Sequence, residues 1–159
     1  MKLEDNTFSV ERAEDSSGFL LWQVTTIWQR KIKRSLEQYD LTHSQYVLLT
    51  SLYWFKLYHQ EVTQIVLSGY AKIDPMTTST VLKTLEKKGF IRRQEHSTDT
   101  RAKKIDITEQ GKELIKKAIV TVETTDKEFF SSLSSKTKTL NELLIMLIKN
   151  NKLPLKHFD

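Results

Sequence analysis

At 159 residues and 18.6 kDa, with 38% apolar and 28% charged residues, the chain has the length and composition of one soluble domain with a sizeable core. A net charge of +5 and a pI near 9.3 favour an anionic partner without identifying one. The absence of cysteine excludes disulfides, thiolate metal sites and cysteine-based oxidant sensing. An acidic, polar N-terminus is unlike a signal peptide, and no apolar run is long enough to span a bilayer, which points to the cytoplasm.

Residues 1 to about 15 read as a loose lead-in. A long helix then runs from a Ser16 or Ser17 cap to about Tyr39, with an apolar stripe of Leu21, Val24, Trp28, Ile32, Leu36 and Tyr39 at steps of three and four. Thr42 to Gln45 spells a capping box for a second helix, apolar on nearly every side and therefore expected at the centre. Thr63 caps a short helix through Ala71, with Leu67 inward. Asp74-Pro75 opens the next, with Asp at the cap and Pro at the first helical position. Gly89 closes it, with Leu85 and Phe90 placed for a Schellman contact. Phe90 to His96 and Lys103 to Ile107 read as two strands, Ile105 and Ile107 alternating with Lys104 and Asp106, around a turn at Ser97 to Thr100. Thr108 caps a long helix carrying Leu114, Ala118, Val122 and Phe129, and a last helix spans about Ser135 to Asn150.

The stretch from Asp74 to Gly111 carries the functional signal, because a capped helix followed by a basic-tipped hairpin suits neighbouring DNA grooves. On a helical wheel Thr78, Val81, Leu82 and Leu85 form one arc, which must face the core. Met76, Thr80, Lys83 and Lys87 form the opposite arc, flanked by Thr77, Ser79 and Thr84. Hydroxyls and methyls can approach base edges, and lysine can reach a base or a phosphate. An ordinary solvated face is the competing reading, but threonine is a mediocre helix former and is concentrated here. At the hairpin tip, Arg101 and Lys103 flank a turn with Asp99. A guanidinium suits a narrow minor groove, and Asp99 can hold its rotamer; a surface ion pair of little worth is the plainer alternative.

Leu41-Thr42 with Gln45, Val62-Thr63-Gln64 with Leu67, Asp74-Pro75, Leu85 to Gly89, Ile91-Arg92-Arg93, Asp99 to Ala102 and Thr108 to Gly111, in that order, resemble the MarR (multiple antibiotic resistance regulator) family. The resemblance covers about residues 19–150. It implies a mainly α fold with a small two- or three-stranded β wing, a winged helix-turn-helix between dimerising N- and C-terminal helices. The DNA-binding lobe would span 42–108 and the dimerisation helices 16–40 and 109–159. Residues 75–88 become the recognition helix and Arg101 the wing arginine. The chain departs from the family at Ile65 and Val66, where charged or polar residues are usual, at Ser68, where alanine is usual, and at Gly69, which weakens a helix by up to ~1 kcal/mol.

His43, His59, His96 and His157 include no pair at helical ligand spacing, although His43 near Glu37 resembles the setting of a metal sensor. No nucleophile–base pair, glycine-rich phosphate loop or carboxylate dyad stands out, so neither an enzyme nor a cofactor is implied. Trp22, Trp28, Tyr46, Tyr53, Trp54 and Tyr58 lie on the first two helices, where the resemblance places an effector cleft; core packing is the plainer reading. The expected protein is a homodimeric repressor of an inverted-repeat operator, with half-sites about 10 bp apart, released by a small aromatic or anionic ligand. A winged helix that binds a protein partner is the alternative, and a metal sensor the weaker one. Leu140, Leu143, Leu144 and Leu147, with Leu153, Leu155 and Phe158 beyond, carry the dimer expectation.

Overall fold

The computed structural model describes residues 7–95 and 103–152. In order these form α1 (Ser17–Leu36), α2 (His43–Leu57), α3 (Gln64–Ala71), α4 (Pro75–Lys87), β1 (Ile91–Glu95), β2 (Lys103–Ile107), α5 (Glu109–Phe130) and α6 (Thr137–Asn150). Turns of 3-10 helix at Ala13–Asp15, Glu37–Tyr39 and Ser131–Lys136 precede α1, prolong it, and join α5 to α6.

Helices α1 to α5 each start at a side-chain cap. Ser16 accepts from the Phe19 N–H, Thr63 from Val66, Asp74 from Thr77 and Thr108 from Gly111. Thr42 and Gln45 complete a reciprocal capping box, each bond 3.2 Å. α2 is the hub, packed on α1, α3, α4, α5 and β2. Its Leu48, Leu49 and Leu52 meet Ile32 and Leu36 of α1, Leu67 of α3, Leu82 and Leu85 of α4 and Ile115 of α5 in one buried cluster.

The turn from α4 into the sheet is a full Schellman motif. The Gly89 N–H donates to Glu86 O (2.9 Å) and the Phe90 N–H to Leu85 O (3.0 Å), with Gly89 at φ 80°. β1 and β2 pair antiparallel, Ile91 opposite Ile107 and Arg93 opposite Ile105. A short third edge is added where the Ile105 N–H donates to Val62 O at 2.8 Å and Thr63 bridges Lys104. Thr108 locks the sheet to α5: its hydroxyl donates to Gly89 O (2.7 Å) while accepting from the Gly111 N–H (3.1 Å).

The structure refines the sequence reading at three places. Leu21 and Val24 share the α1 stripe with the buried Ile32 and Leu36 yet are exposed. Asp106, expected on the open face of its strand, is buried, with the Lys56 and Lys104 ammoniums each 3.7 Å from its carboxylate. The last helix begins at Thr137, after a kink where Ser134 has φ 49°.

The unusual α3 segment is accommodated. Ser68 is buried and donates to Ile73 O at 2.6 Å, the same carbonyl that accepts from Thr78 at 3.3 Å. Gly69 has open space where a Cβ would stand, and Ile65 and Val66 are exposed.

Candidate nucleic-acid interface

α4 owes its position to both ends. At its start the Asp74 carboxylate accepts from the Thr77 N–H at 2.8 Å. Hydrogen bonds from the Thr77 side chain and backbone hold that carboxyl below the usual carboxylate range. Gln64 of α3 donates to Pro75 O at 3.4 Å, joining the starts of the two helices. The buried arc is Thr78, Leu82 and Leu85, with Val81 packed against the core. Met76 (81% exposed), Thr77, Thr80, Lys83 and Lys87 lie open on the other side, with Ser79 and Thr84 half-buried at its margins.

The hydroxyls on this arc have a defined polarity. Thr80 donates to Met76 O and Thr84 to Thr80 O, both at 3.2 Å. With those protons committed to the helix backbone, each oxygen keeps acceptor capacity and each side chain a methyl. Such a surface suits base-edge amino groups and thymine methyls.

The basic residues divide into two groups. Arg93 lies 3.5 Å from Glu86, Lys104 3.4 Å from Glu61, and Lys88 3.0 Å from the Asp40 carboxylate, so these charges serve contacts within the chain. Lys83, Lys87, Arg92 and Lys103 are exposed. Lys103 opens β2 at the loop end of the hairpin ladder, opposite Glu95. Asp99 and Arg101, expected at the wing tip, lie outside the described residues.

A cavity of about 780 Å³ lies where α1 turns into α2, lined by Trp28, Lys33, His43, Val47, Ile73 and Lys88 among others. Trp28 donates from Nε1 to Asp126 Oδ1 at 2.8 Å and meets the His43 ring edge-on at 5.1 Å. Burial pushes the His43 pKa down, with Asp126 acting in the opposite direction. The other expected aromatics do not converge here. Tyr46 is buried, Tyr53 half-buried and Trp22 exposed, while Trp54 and Tyr58 pair with each other, centroids 4.9 Å apart. Tyr46 and Trp54 stand eight positions apart, roughly 12 Å of helix rise, and neither lines this cavity. Among the described residues no three His, Asp or Glu side chains gather as a metal site.

Residues 37–126 match the family model of the ArnR1-like, winged-helix domain. The chain is also 42% identical to the Bacillus subtilis (strain 168) protein YdcH, an uncharacterized HTH-type transcriptional regulator, over 83% of this chain and 90% of that one. The chain belongs to the MarR family of winged-helix transcriptional regulators. Solved MarR-type structures share its fold. The S. aureus MepR–DNA complex matches with a TM-score of 0.77 and 23% identity, covering 86% of this chain and 97% of that one. A mutant E. coli MarR complexed with operator DNA matches at 0.74 and 22%, covering 82% and 92%. CouR from Rhodococcus jostii RHA1, bound to p-coumaroyl-CoA, matches at 0.74 and 23%, covering 87% and 93%. This MarR-family chain is thus a DNA-binding transcription regulator, in a family that is not enzymatic. None of its described helices is long and apolar enough to cross a membrane.

Two contacts of this MarR-family protein escape a reading of the sequence. Lys88 with Asp40 and Lys104 with Glu61 join residues 48 and 43 positions apart. No spacing rule links such distant charges.

Proposed function

We propose that the protein is a homodimeric, cytoplasmic repressor that occupies an inverted-repeat operator. Met76, Thr77, Ser79, Thr80, Lys83, Thr84 and Lys87 of α4 would read the major groove, with Asp99, Arg101 and Lys103 placing the wing in the minor groove. Residues 42–108 would then be the DNA-binding lobe, with 16–40 and 109–159 forming the dimer. The observation that carries this reading is the open arc of α4, a face of methyls, acceptor hydroxyls and lysines opposite a fully buried one. A small aromatic or anionic ligand entering the cavity beside Trp28, Lys33 and His43 would relieve repression, and the CouR complex supports this part by analogy.

The test is an operator selected from a random duplex library, with four variants compared at two salt concentrations. Arg101→Ala should weaken binding by about 1–3 kcal/mol and lower the salt slope by about one, nearly uniformly across base changes. Asp99→Ala should produce a smaller loss of the same kind. Thr80→Ala and Lys83→Ala should relax preference at one or two operator positions. Binding without salt dependence, or an Arg101→Ala protein that is folded and binds like the parent, would favour a protein-interaction module. Benzoate at constant ionic strength should weaken operator binding by the parent protein; an unchanged affinity would remove the effector half alone.

A further inference from the structure

Lys88 is the C-cap residue of α4, and its ammonium reaches out of the winged lobe to the corner between α1 and α2. There it donates to Asp40 O at 2.6 Å and to Asp40 Oδ2 at 3.0 Å. Asp40 is the residue at which the chain changes direction. It ends the 3-10 extension of α1, takes a left-handed conformation (φ 50°, ψ 42°), and stands two positions before the Thr42 cap of α2. Aspartate adopts that conformation more readily than most side chains. One lysine therefore grips both the main chain and the side chain of the pivot.

The other polar restraints on the end of α4 are internal to the lobe: the Schellman bonds, the Thr108 hydroxyl on Gly89 O and the Arg93–Glu86 pair. Lys88 is different in kind, because it ties α4 to the junction with α1. Its position on the wall of the cavity, beside the same corner, makes the tie accessible to whatever enters there.

We propose that the Lys88–Asp40 clasp sets the angle between α1 and the winged lobe, and so the separation of the two recognition helices in the dimer. Lys88 is a positioning residue on this view, acting on DNA through α4. The proposal rests on the dimeric, operator-binding reading above. It predicts a selectivity for spacing that no single base contact supplies. One inserted base pair shifts the half-sites by about 3.4 Å and rotates them by about 35°, so a held pivot penalises it and a loose one adapts.

The experiment measures affinity for the selected operator and for versions with one base pair inserted or deleted between half-sites. Lys88→Met keeps the packed stem and removes the charge; Asp40→Asn keeps the left-handed turn and removes the carboxylate. Each should weaken optimal-operator binding by about three- to ten-fold, the range expected for a pair with a largely covered lysine and an open carboxylate (side chains 26% and 96% exposed) acting twice per dimer. The spacing penalty, about ten-fold or more in the parent by comparison with a mismatched base pair, should shrink to less than about three-fold. The double variant should lose no more than Lys88→Met alone, and Lys88→Arg should restore discrimination. The salt slope should not change, since Lys88 neutralises no phosphate in this scheme. If Lys88→Met instead lowers the slope by about one while Asp40→Asn tightens binding, Lys88 is a phosphate contact and the clasp is refuted. Folded dimeric variants that keep the parent's spacing penalty refute it equally. A parent that is monomeric or binds no operator strikes down the regulator reading itself, and the clasp with it.

Discussion

Ending the chain at Asn141 should destroy the dimer and lower operator affinity by about a hundred-fold or more, because one lobe loses the effective concentration supplied by its twin. The physical basis is apolar surface with nothing over it. Leu143, Leu144, Ile145, Met146, Leu147 and Ile148 of α6 are all exposed, and among the described residues the one extensive contact of α6 is the turn that precedes it. Phe19, Leu20, Leu21, Trp22, Val24 and Ile27 leave the early part of α1 equally open. Two such faces exceed what a soluble monomer ordinarily presents to water. In the proposed dimer a second copy would bury both, and two-fold pairing would present two identical α4 helices to an inverted repeat. Light scattering should show the full chain as a dimer and the truncated chain as monomer or aggregate. A truncated chain that stays dimeric would remove α6 from the interface and reopen the assignment of the end helices.

Gly111→Ala is expected to cost about 3 kcal/mol of stability, or roughly 10 °C in Tm, from overpacking at a site that cannot relax. Gly111 is buried in the first turn of α5, where an added Cβ would run into the Phe90 carbonyl oxygen and stand 2.9 Å from Ile107 Cγ1. That carbonyl cannot swing away without a loss, since it accepts from the Thr108 N–H at 3.0 Å. Relief would require moving α5 off the sheet and breaking the Thr108 link to Gly89. Gly69→Ala supplies the control with the opposite sign. A Cβ there meets nothing within 4 Å, and the helix gains up to ~1 kcal/mol from alanine. Thermal unfolding followed by circular dichroism checks both. Equal effects at the two glycines would show that helix propensity, not close packing, governs them.

Much of the fold was legible because its signals act within a single turn of chain. Caps at Ser16, Thr42, Thr63, Asp74 and Thr108 satisfy N–H groups three residues away, and α1 to α5 each begin beside one. The Gly89 stop with its Leu85–Phe90 pairing is equally local. The two faces of α4 follow from a period of 3.6 residues, so the candidate reading face was visible before any tertiary contact was known.

Tertiary structure decided what periodicity cannot carry. The stripe on α1 is one continuous pattern, yet only its later part, at Ile32 and Leu36, is buried, and which part is covered depends on how distant helices cross. Six aromatics on α1 and α2 looked like one group and proved to be spread along the helices, because sequence proximity on a helix still separates side chains by 1.5 Å of rise per residue. Lys83, Lys87 and Lys88 lie within six residues of one another, but only the fold brings the third to Asp40 across 48 residues. A charge pattern records which side of a helix is wet. Which partner waits on that side is set by the path of the rest of the chain.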